Sequence, residues 1–125
     1  MYTYFVKKSI DVASAHKLNL SYESPCNNLH GHTYHIEVCA CSERLNNDGM
    51  VIDFKWIKST IDKKFDHKYI NDEFSFNTTS ENLARWISDY FTGGGIYCYK
   101  VTVCESGNNT AVYVKPGFEK EAAIL

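Results

Sequence analysis

The chain has 125 residues, of which 44% are hydrophobic and 22% charged, with a formal net charge of -2. This length fits one domain, residues 1–125, built around one core. The balance of charge shows no basic bias of the kind that binds nucleic acid. No apolar run approaches the roughly 20 residues of a membrane helix, and the start, MYTYFVKKSI, lacks the layout of a secretory signal. Five cysteines without CxxC spacing predict no disulfide framework and favour a reducing cytoplasm.

Two strands are expected in the first third of the chain. Residues 2–16 alternate in polarity and end at His16, which shares a face with Ile10, Val12 and Ser14. Residues 19–29 are polar and contain Pro25, which indicates a loop. The second strand runs over 32–41, and the sequence NNDG then predicts a turn. Its expected inward face carries His32, Tyr34, Ile36, Val38 and Ala40.

Two helices are predicted next. Asp53 can cap the first helix, in which apolar residues recur at helical spacing from Phe54 to Phe65. Thr78 and Glu81 fit a capping box at the start of the second helix, and the glycines of 93–95 end it. The apolar stripe of the second helix is expected to contain Leu83, Trp86, Ile87, Tyr90 and Phe91.

Two further strands close the chain, over 96–105 and 110–115, with a hairpin turn at Ser106-Gly107-Asn108-Asn109. One face of the third strand is expected to hold Tyr97, Tyr99, Val101, Val103 and Glu105. The order β-β-α-α-β-β predicts an α+β fold, a four-stranded antiparallel sheet with both helices on one face. Such a sheet has two exposed edges, which favour assembly edge to edge.

Three histidines form a candidate metal site. His30 and His32 are two residues apart, so both imidazoles point to the same side of an extended chain, and Gly31 between them permits close approach. Pairing of the first two strands would bring His16 beside them. Three neutral imidazoles suit Zn2+ and leave a coordination position open. The alternative is a set of scattered surface histidines.

Cys26 lies four residues before His30 and allows two interpretations. It is either a fourth zinc ligand that closes a structural site, or a thiolate base beside an open metal, where a nearby cation would depress its pKa. Spacing alone does not choose between them. The other four cysteines lie within strands and are expected to be small packing residues.

Two further segments carry acidic residues that could take part in proton transfer or ligand binding. Asp66-His67 follows the first helix, and such a pair can act as a proton carrier, although a solvated Asp beside a helix-terminal His is the simpler alternative. Glu105 shares a face with two valines, where a charge needs a partner. A ligand with two adjacent N–H donors, such as the edge of a pterin ring, would satisfy it, as would an inter-strand salt bridge to a lysine.

Together these residues resemble the 6-pyruvoyl-tetrahydropterin synthase and 6-carboxy-tetrahydropterin synthase family. The resemblance runs along nearly the whole chain, in six segments that occur in the family's order. The segments are Ala15-His16, Cys26-x-x-x-His30-Gly31-His32, Gly49-Met50-Val51-Ile52-Asp53-Phe54, Phe65-Asp66-His67-Lys68, Thr79-Ser80-Glu81-Asn82 and Glu105 ahead of Asn108-Asn109.

The spacing between cysteine and HGH separates branches of this family. Three residues between Cys26 and His30 resemble the 6-carboxy-tetrahydropterin synthase branch of queuosine biosynthesis, whereas the biopterin-forming branch usually has a longer insert. A third variant places glutamate where Cys26 stands. Thr78 is a departure, because the carboxy branch often has proline there and the biopterin branch often has threonine.

The resemblance implies the tunnelling fold, with trimers that close into barrels and stack head to head as a hexamer. It implies zinc on His16, His30 and His32, and 7,8-dihydroneopterin triphosphate as the substrate. In this interpretation Cys26 takes a proton, and Asp66 and His67 complete a relay. Glu105 holds one edge of the pterin, and Thr79 and Ser80 hold the other. The remaining alternatives are triphosphate elimination to a pyruvoyl product, and a non-catalytic zinc- or pterin-binding module.

Overall fold

The computed structural model describes residues 1–125 and contains one five-stranded sheet and two α-helices. The elements, in chain order, are β1 Tyr4–His16, β2 His30–Ser42, α1 Phe54–Phe65, β3 Lys68–Tyr69, α2 Ser80–Gly93, β4 Tyr97–Glu105 and β5 Asn109–Val114. The strands lie in the order β3-β1-β2-β4-β5. No helix of the structure combines the length and apolar character needed to cross a bilayer.

The β1–β2 pair dominates the sheet. The two strands are antiparallel in unbroken register from Tyr4 opposite Ser42 to His16 opposite His30. Because paired residues project to the same face, this register places the even-numbered side chains of both strands together. The expected inward faces of the first two strands are confirmed by the burial of Ile10, Val12 and Tyr34.

The sheet has one more strand than the sequence predicts. After α1, the two residues of β3 lie parallel to β1 opposite Ser14 and Ala15. A segment of two residues is too short to show a periodic pattern in the sequence. Its pairing with β1 depends on the position at which the packed helix α1 ends. The prediction of an α+β sheet with both helices on one face is confirmed, while a purely antiparallel, four-stranded sheet is wrong by this one short strand.

The main core lies between the helices and one face of the sheet. Nineteen buried residues form this cluster, including Ile57, Ile61 and Phe65 of α1 and Leu83 and Ile87 of α2. Burial of each large aliphatic or aromatic side chain contributes about 1.5–3 kcal/mol to stability. The buried residues of the predicted helical stripes therefore fix both helices on the sheet, whereas Phe54 and Tyr90, which the stripes also include, are exposed.

A β-bulge divides β4 into two parts that face differently. One residue separates Cys39 from Cys41, whereas two separate their partners Lys100 and Tyr97, so β4 contains an extra residue. Tyr99 consequently packs with Cys39, Cys41 and Phe118 in a second cluster on the face that carries no helix. The expectation that Tyr97 and Tyr99 share the face of Val101 was wrong, because a bulge reverses the alternation.

The N-terminus of α2 is capped one residue later than predicted. The Thr79 hydroxyl, not that of Thr78, accepts from the Asn82 N–H at 3.2 Å. Thr78 is fully buried instead and contacts His16. In α1 the predicted cap is confirmed, since Asp53 Oδ1 accepts from the Lys55 N–H at 2.9 Å.

We expect Asp53→Ala to lower the free energy of unfolding by about 1 kcal/mol, because it removes an N-cap hydrogen bond. Urea denaturation measures this difference. The matched control is Asp48→Ala, since Asp48 is also exposed and only its backbone N–H is hydrogen-bonded. Equal losses in the two variants would contradict the capping role.

Candidate active site

The β1–β2 register brings the three predicted histidines together at one end of the sheet. One ring nitrogen from each of His16, His30 and His32 lies within 4.8 Å of the other two. The ring centroids are 4.6 Å, 5.1 Å and 4.8 Å apart. His16 is buried, and the other two are half-buried. Cys26 does not belong to this group of donor atoms, which argues against its being a fourth ligand.

Each histidine is held through its Nδ1 atom. The Nδ1–H groups of His16 and His30 donate to the carbonyl oxygens of Thr78 at 3.0 Å and Asn28 at 2.7 Å. A carbonyl only accepts, so these bonds leave the lone pairs on Nε2. The Tyr34 hydroxyl lies 3.2 Å from the Nε2 atom of His16. His32 Nδ1 lies 2.7 Å from the Ser106 hydroxyl. Its Nε2 atom is buried and has no hydrogen-bond partner. Three imidazoles oriented in this way, with their lone pairs on Nε2, fit a metal ion.

The surroundings of the triad favour neutral imidazoles. Burial is the main cause that lowers the pKa of His16, and its two neighbouring histidines lower it further. Burial likewise lowers the pKa of His32, against the opposing effect of Glu105. A neutral imidazole is the form that binds metals. The buried Tyr34 packs against the triad, with its ring centroid 5.9 Å from that of His16 and 5.5 Å from that of His32.

Glu105 lies between the triad and the start of α2. The Ser80 hydroxyl donates to Glu105 Oε2 at 3.0 Å. Glu105 Oε1 is 3.3 Å from His32 Nε2, but the two atoms are not aligned for a hydrogen bond. No lysine pairs with Glu105, so the alternative of an inter-strand salt bridge to a lysine is not observed, and the nearest basic group is the His32 imidazole. The carboxylate therefore keeps lone pairs for a ligand.

Cys26 lines the same pocket as Glu105. This pocket has a volume of about 380 Å³ and is bordered by Leu18, Leu20, Tyr22, Ser24, Cys26, Thr79, Ser80, Glu81, Glu105, Asn109, Thr110 and Ala111. The loop that carries Cys26 is tied down, because the Leu18 N–H donates to the Cys26 carbonyl at 2.7 Å and Ser24 caps the turn. Three more predicted site residues, Thr79, Ser80 and Glu105, are thus beside Cys26.

Asp66 and His67 lie at the edge of the sheet, where His67 borders an open trough of about 750 Å³ together with His32 of the triad. Asp66 Oδ2 is 3.1 Å from His67 Nδ1, so these adjacent side chains do interact. Backbone bonds to Ala13 fix both residues: Ala13 N–H donates to Asp66 Oδ1, and His67 N–H donates to the Ala13 carbonyl. The hydrogen bond from the Ala13 N–H is the main cause that lowers the pKa of Asp66, and the His67 side chain lowers it further. Neither residue borders the pocket of Cys26.

Some supporting groups could not be found from the sequence. Thr78 and Asn28 act through backbone carbonyls, which every residue possesses, and Ser106 is indistinguishable from an ordinary turn residue. Thr78, the departure from the carboxy branch, adds a side-chain contact of 3.2 Å between its Oγ1 and His16 Nδ1. A proline would lack this hydroxyl.

The fold and site define an α+β protein in which three clustered histidines could hold a metal ion beside an open pocket. The chain belongs to the 6-pyruvoyl tetrahydropterin synthase family, whose model matches residues 5–116. Members of this family are pterin synthases, so the chain is assigned to an enzyme class.

Curated relatives divide this family further. A 6-carboxy-5,6,7,8-tetrahydropterin synthase of Synechocystis is 32% identical and covers 90% of this chain and 95% of its own length. A dihydroneopterin monophosphate aldolase of Pyrococcus furiosus is 37% identical over 66% of this chain and 68% of its own. The 6-pyruvoyl tetrahydropterin synthase structure of Caenorhabditis elegans superposes with a TM-score of 0.71 at 25% identity, covering 90% of this chain and 95% of that one.

We expect Ser106→Ala to weaken zinc binding about 10–100-fold, because it removes the partner that orients His32. Competition with a chromophoric chelator measures the affinity. Ser75→Ala is the control, since Ser75 is an exposed loop residue away from the triad. Unchanged affinity in Ser106→Ala would show that His32 needs no such support.

Proposed function

We propose that this protein is a 6-carboxy-5,6,7,8-tetrahydropterin synthase. It converts 7,8-dihydroneopterin triphosphate to 6-carboxytetrahydropterin and releases acetaldehyde and triphosphate, a step of queuosine biosynthesis in the cytoplasm. The observation that supports this most strongly is the placement of Cys26 and Glu105 in one pocket beside the histidine triad. The Synechocystis relative, which matches over most of both chains, supports the choice of branch.

Glu105 binds the pterin ring in this proposal. Its carboxylate is oriented by Ser80 and can accept two parallel N–H bonds from the ring edge. Thr79 and Ser80, at the start of α2, hold the opposite edge. Fixing the ring in this way sets the position of its side chain relative to Cys26 and the triad.

Cys26 is the base that removes a proton from the substrate side chain. The hydrogen-bonded loop around it limits its movement, which favours reaction from one position. Zinc, when held by His16, His30 and His32, would supply Lewis-acid chemistry that makes the neighbouring carbon more acidic. Because Cys26 is outside the ligand group, it remains available for proton transfer.

Asp66 and His67 serve the pocket of a neighbouring copy as its proton relay. Within one chain they lie at the β3 edge, apart from Cys26 and Glu105. β1 pairs with β3 only at Ser14 and Ala15, so most of its edge is open, and β5 forms the other free edge. Pairing these edges between copies would close a barrel, which supports a trimer and a hexamer of two trimers.

The sister reaction, triphosphate elimination to 6-pyruvoyl-tetrahydropterin, is the second candidate. Thr78 favours it, because threonine is frequent at this position in that branch. A non-catalytic zinc or pterin module would have no need for Cys26 in the same pocket as Glu105.

Incubation of the zinc-loaded protein with 7,8-dihydroneopterin triphosphate should release acetaldehyde and 6-carboxytetrahydropterin. Enzymatic detection of acetaldehyde and chromatography of the pterin measure both products. A pyruvoyl product without acetaldehyde would assign the sister reaction, and an aldol-cleavage product would point to the activity named for the Pyrococcus relative.

Cys26→Ala should abolish turnover yet keep its zinc, whereas Cys104→Ala, which lies outside the pocket, should retain activity. Loss of zinc from Cys26→Ala would make this thiol a ligand instead.

Glu105→Gln should weaken binding of a pterin by about 10–100-fold, because hydrogen bonds to a charged group contribute about 1.5–3 kcal/mol. Quenching of pterin fluorescence in the zinc-loaded protein reports the dissociation constant without turnover. Glu37→Gln provides the control, since Glu37 contacts His35 and Lys7 away from the pocket. Equal affinities of Glu105→Gln and the unmodified protein would remove Glu105 from the ring site.

A further inference from the structure

One wall of the active-site pocket is formed by the loop that follows β1. Every second residue of this loop borders the pocket, namely Leu18, Leu20, Tyr22, Ser24 and Cys26. Such alternation is a property of an extended chain, in which successive side chains point to opposite sides. Residues 17–24 nevertheless belong to no strand. An interaction other than strand pairing therefore holds this part of the loop extended.

Two asparagine side chains that precede α2 take the place of a paired strand. Asn71 Oδ1 accepts from the Lys17 N–H at 3.0 Å, and Asn71 Nδ2 donates to the Lys17 carbonyl at 2.8 Å. Asn77 binds both backbone groups of Asn19 in the same way, at 2.9 Å and 3.2 Å. Because Lys17 and Asn19 are two residues apart, an extended chain directs their backbone groups to the same side. The asparagines thus fix the alternation with which the loop faces the pocket.

A third asparagine extends this support to the far end of the wall. Asn27 Oδ1 accepts from the Leu20 N–H, and Asn27 Nδ2 donates to the Tyr22 carbonyl, both at 3.0 Å. Asn27 directly follows Cys26 in the chain. Its side chain therefore links the backbone of Tyr22 to the turn that carries the thiol.

The wall differs in chemistry from the rest of the pocket. Leu18, Leu20 and Tyr22 are apolar or aromatic, whereas the residues from α2, β4 and β5 supply mostly hydroxyl, amide and carboxylate groups. A flat heterocycle has polar edges and apolar faces, so it needs both kinds of surface. Tyr22 is the only aromatic residue that borders the pocket. It is 65% exposed, which leaves its ring available to a ligand.

We propose that Tyr22 stacks on the face of the pterin ring, and that Asn27 is a positioning residue that holds Tyr22 beside Cys26. The inference rests on the proposed function, because that function supplies the ring. Glu105 binds the ring at its edge, and Tyr22 covers its face. The two contacts together fix the ring in more than one direction, and the side chain of the substrate is thereby directed to Cys26. A ligand with the same N–H donors but without a flat ring gains nothing from Tyr22.

Unsubstituted pterin is the probe for the stacking contact, because it offers only the ring. Fluorescence titration of the zinc-loaded protein should show that Tyr22→Ala binds pterin about ten-fold more weakly, since an aromatic pair is lost. Tyr22→Phe should keep the affinity. Leu29→Ala is the matched control, because Leu29 lies in the same loop and is 66% exposed but does not border the pocket. It should bind pterin as the unmodified protein does.

A double-mutant cycle tests whether Asn27 acts through Tyr22. Asn27→Asp keeps the acceptor for the Leu20 N–H but removes the donor to the Tyr22 carbonyl, and it should weaken pterin binding about five-fold. In the Tyr22→Ala background the same change should have no further effect, because the ring that Asn27 holds is already absent. Asn28→Asp places the same charge at the next, exposed position and should leave the affinity unchanged.

The outcomes separate the stacking contact from the proposed function. If the zinc-loaded protein binds no pterin, the proposed function fails, and the stacking contact fails with it. If Glu105→Gln weakens pterin binding but Tyr22→Ala does not, only the role of Tyr22 is overturned. Equal losses in Tyr22→Ala and Leu29→Ala would also overturn it, because the effect would then belong to the loop as a whole. If Asn27→Asp weakens binding further in the Tyr22→Ala background, Asn27 does not act through Tyr22, and its positioning role is overturned.

Discussion

The site depends on the antiparallel register of β1 and β2. His16 lies opposite His30, and Ser14 lies opposite His32, so the three imidazoles meet on one face at the end of the pair. A slip of one residue would turn the side chains of one strand to the other face and separate the triad. The same register buries Ile10, Val12 and Ile36 against the helices. The burial that stabilises the fold therefore also selects the register that forms the metal site.

Support for the metal site comes from several separate parts of the chain. The Nδ1 atoms of the triad are bound by Thr78 before α2, by Asn28 in the Cys26 loop and by Ser106 after β4. These segments are joined only by tertiary packing. Displacement of α2 from the sheet would consequently release His16 as well as Ser80, the partner of Glu105. The proposed metal site and the proposed ring site thus both depend on the position of one helix.

Two cavities open at the same end of the sheet. The pocket beside α2 contains Cys26 and the carboxylates of Glu81 and Glu105, whereas the trough at the β3 edge is bordered by His32 and His67. His32 joins the two, because it borders the trough and its Nε2 atom lies 3.3 Å from Glu105 Oε1. The open edges of β1 and β5 are the surfaces through which the proposed trimer would pair.

The sequence by itself determined the inward faces of β1 and β2, the apolar stripes of both helices, and the membership of His16, His30 and His32 in one cluster, because alternation and helical periodicity follow directly from burial. It did not determine β3, the bulge in β4 or the cap at Thr79. Each of these features depends on the position that the backbone takes once the helices and strands have packed. No local sequence pattern determines that position. Tertiary structure alone also decided that Cys26 and Glu105 share a pocket while Asp66 and His67 lie apart from it, because residues distant in sequence are brought together or separated only by the packed sheet.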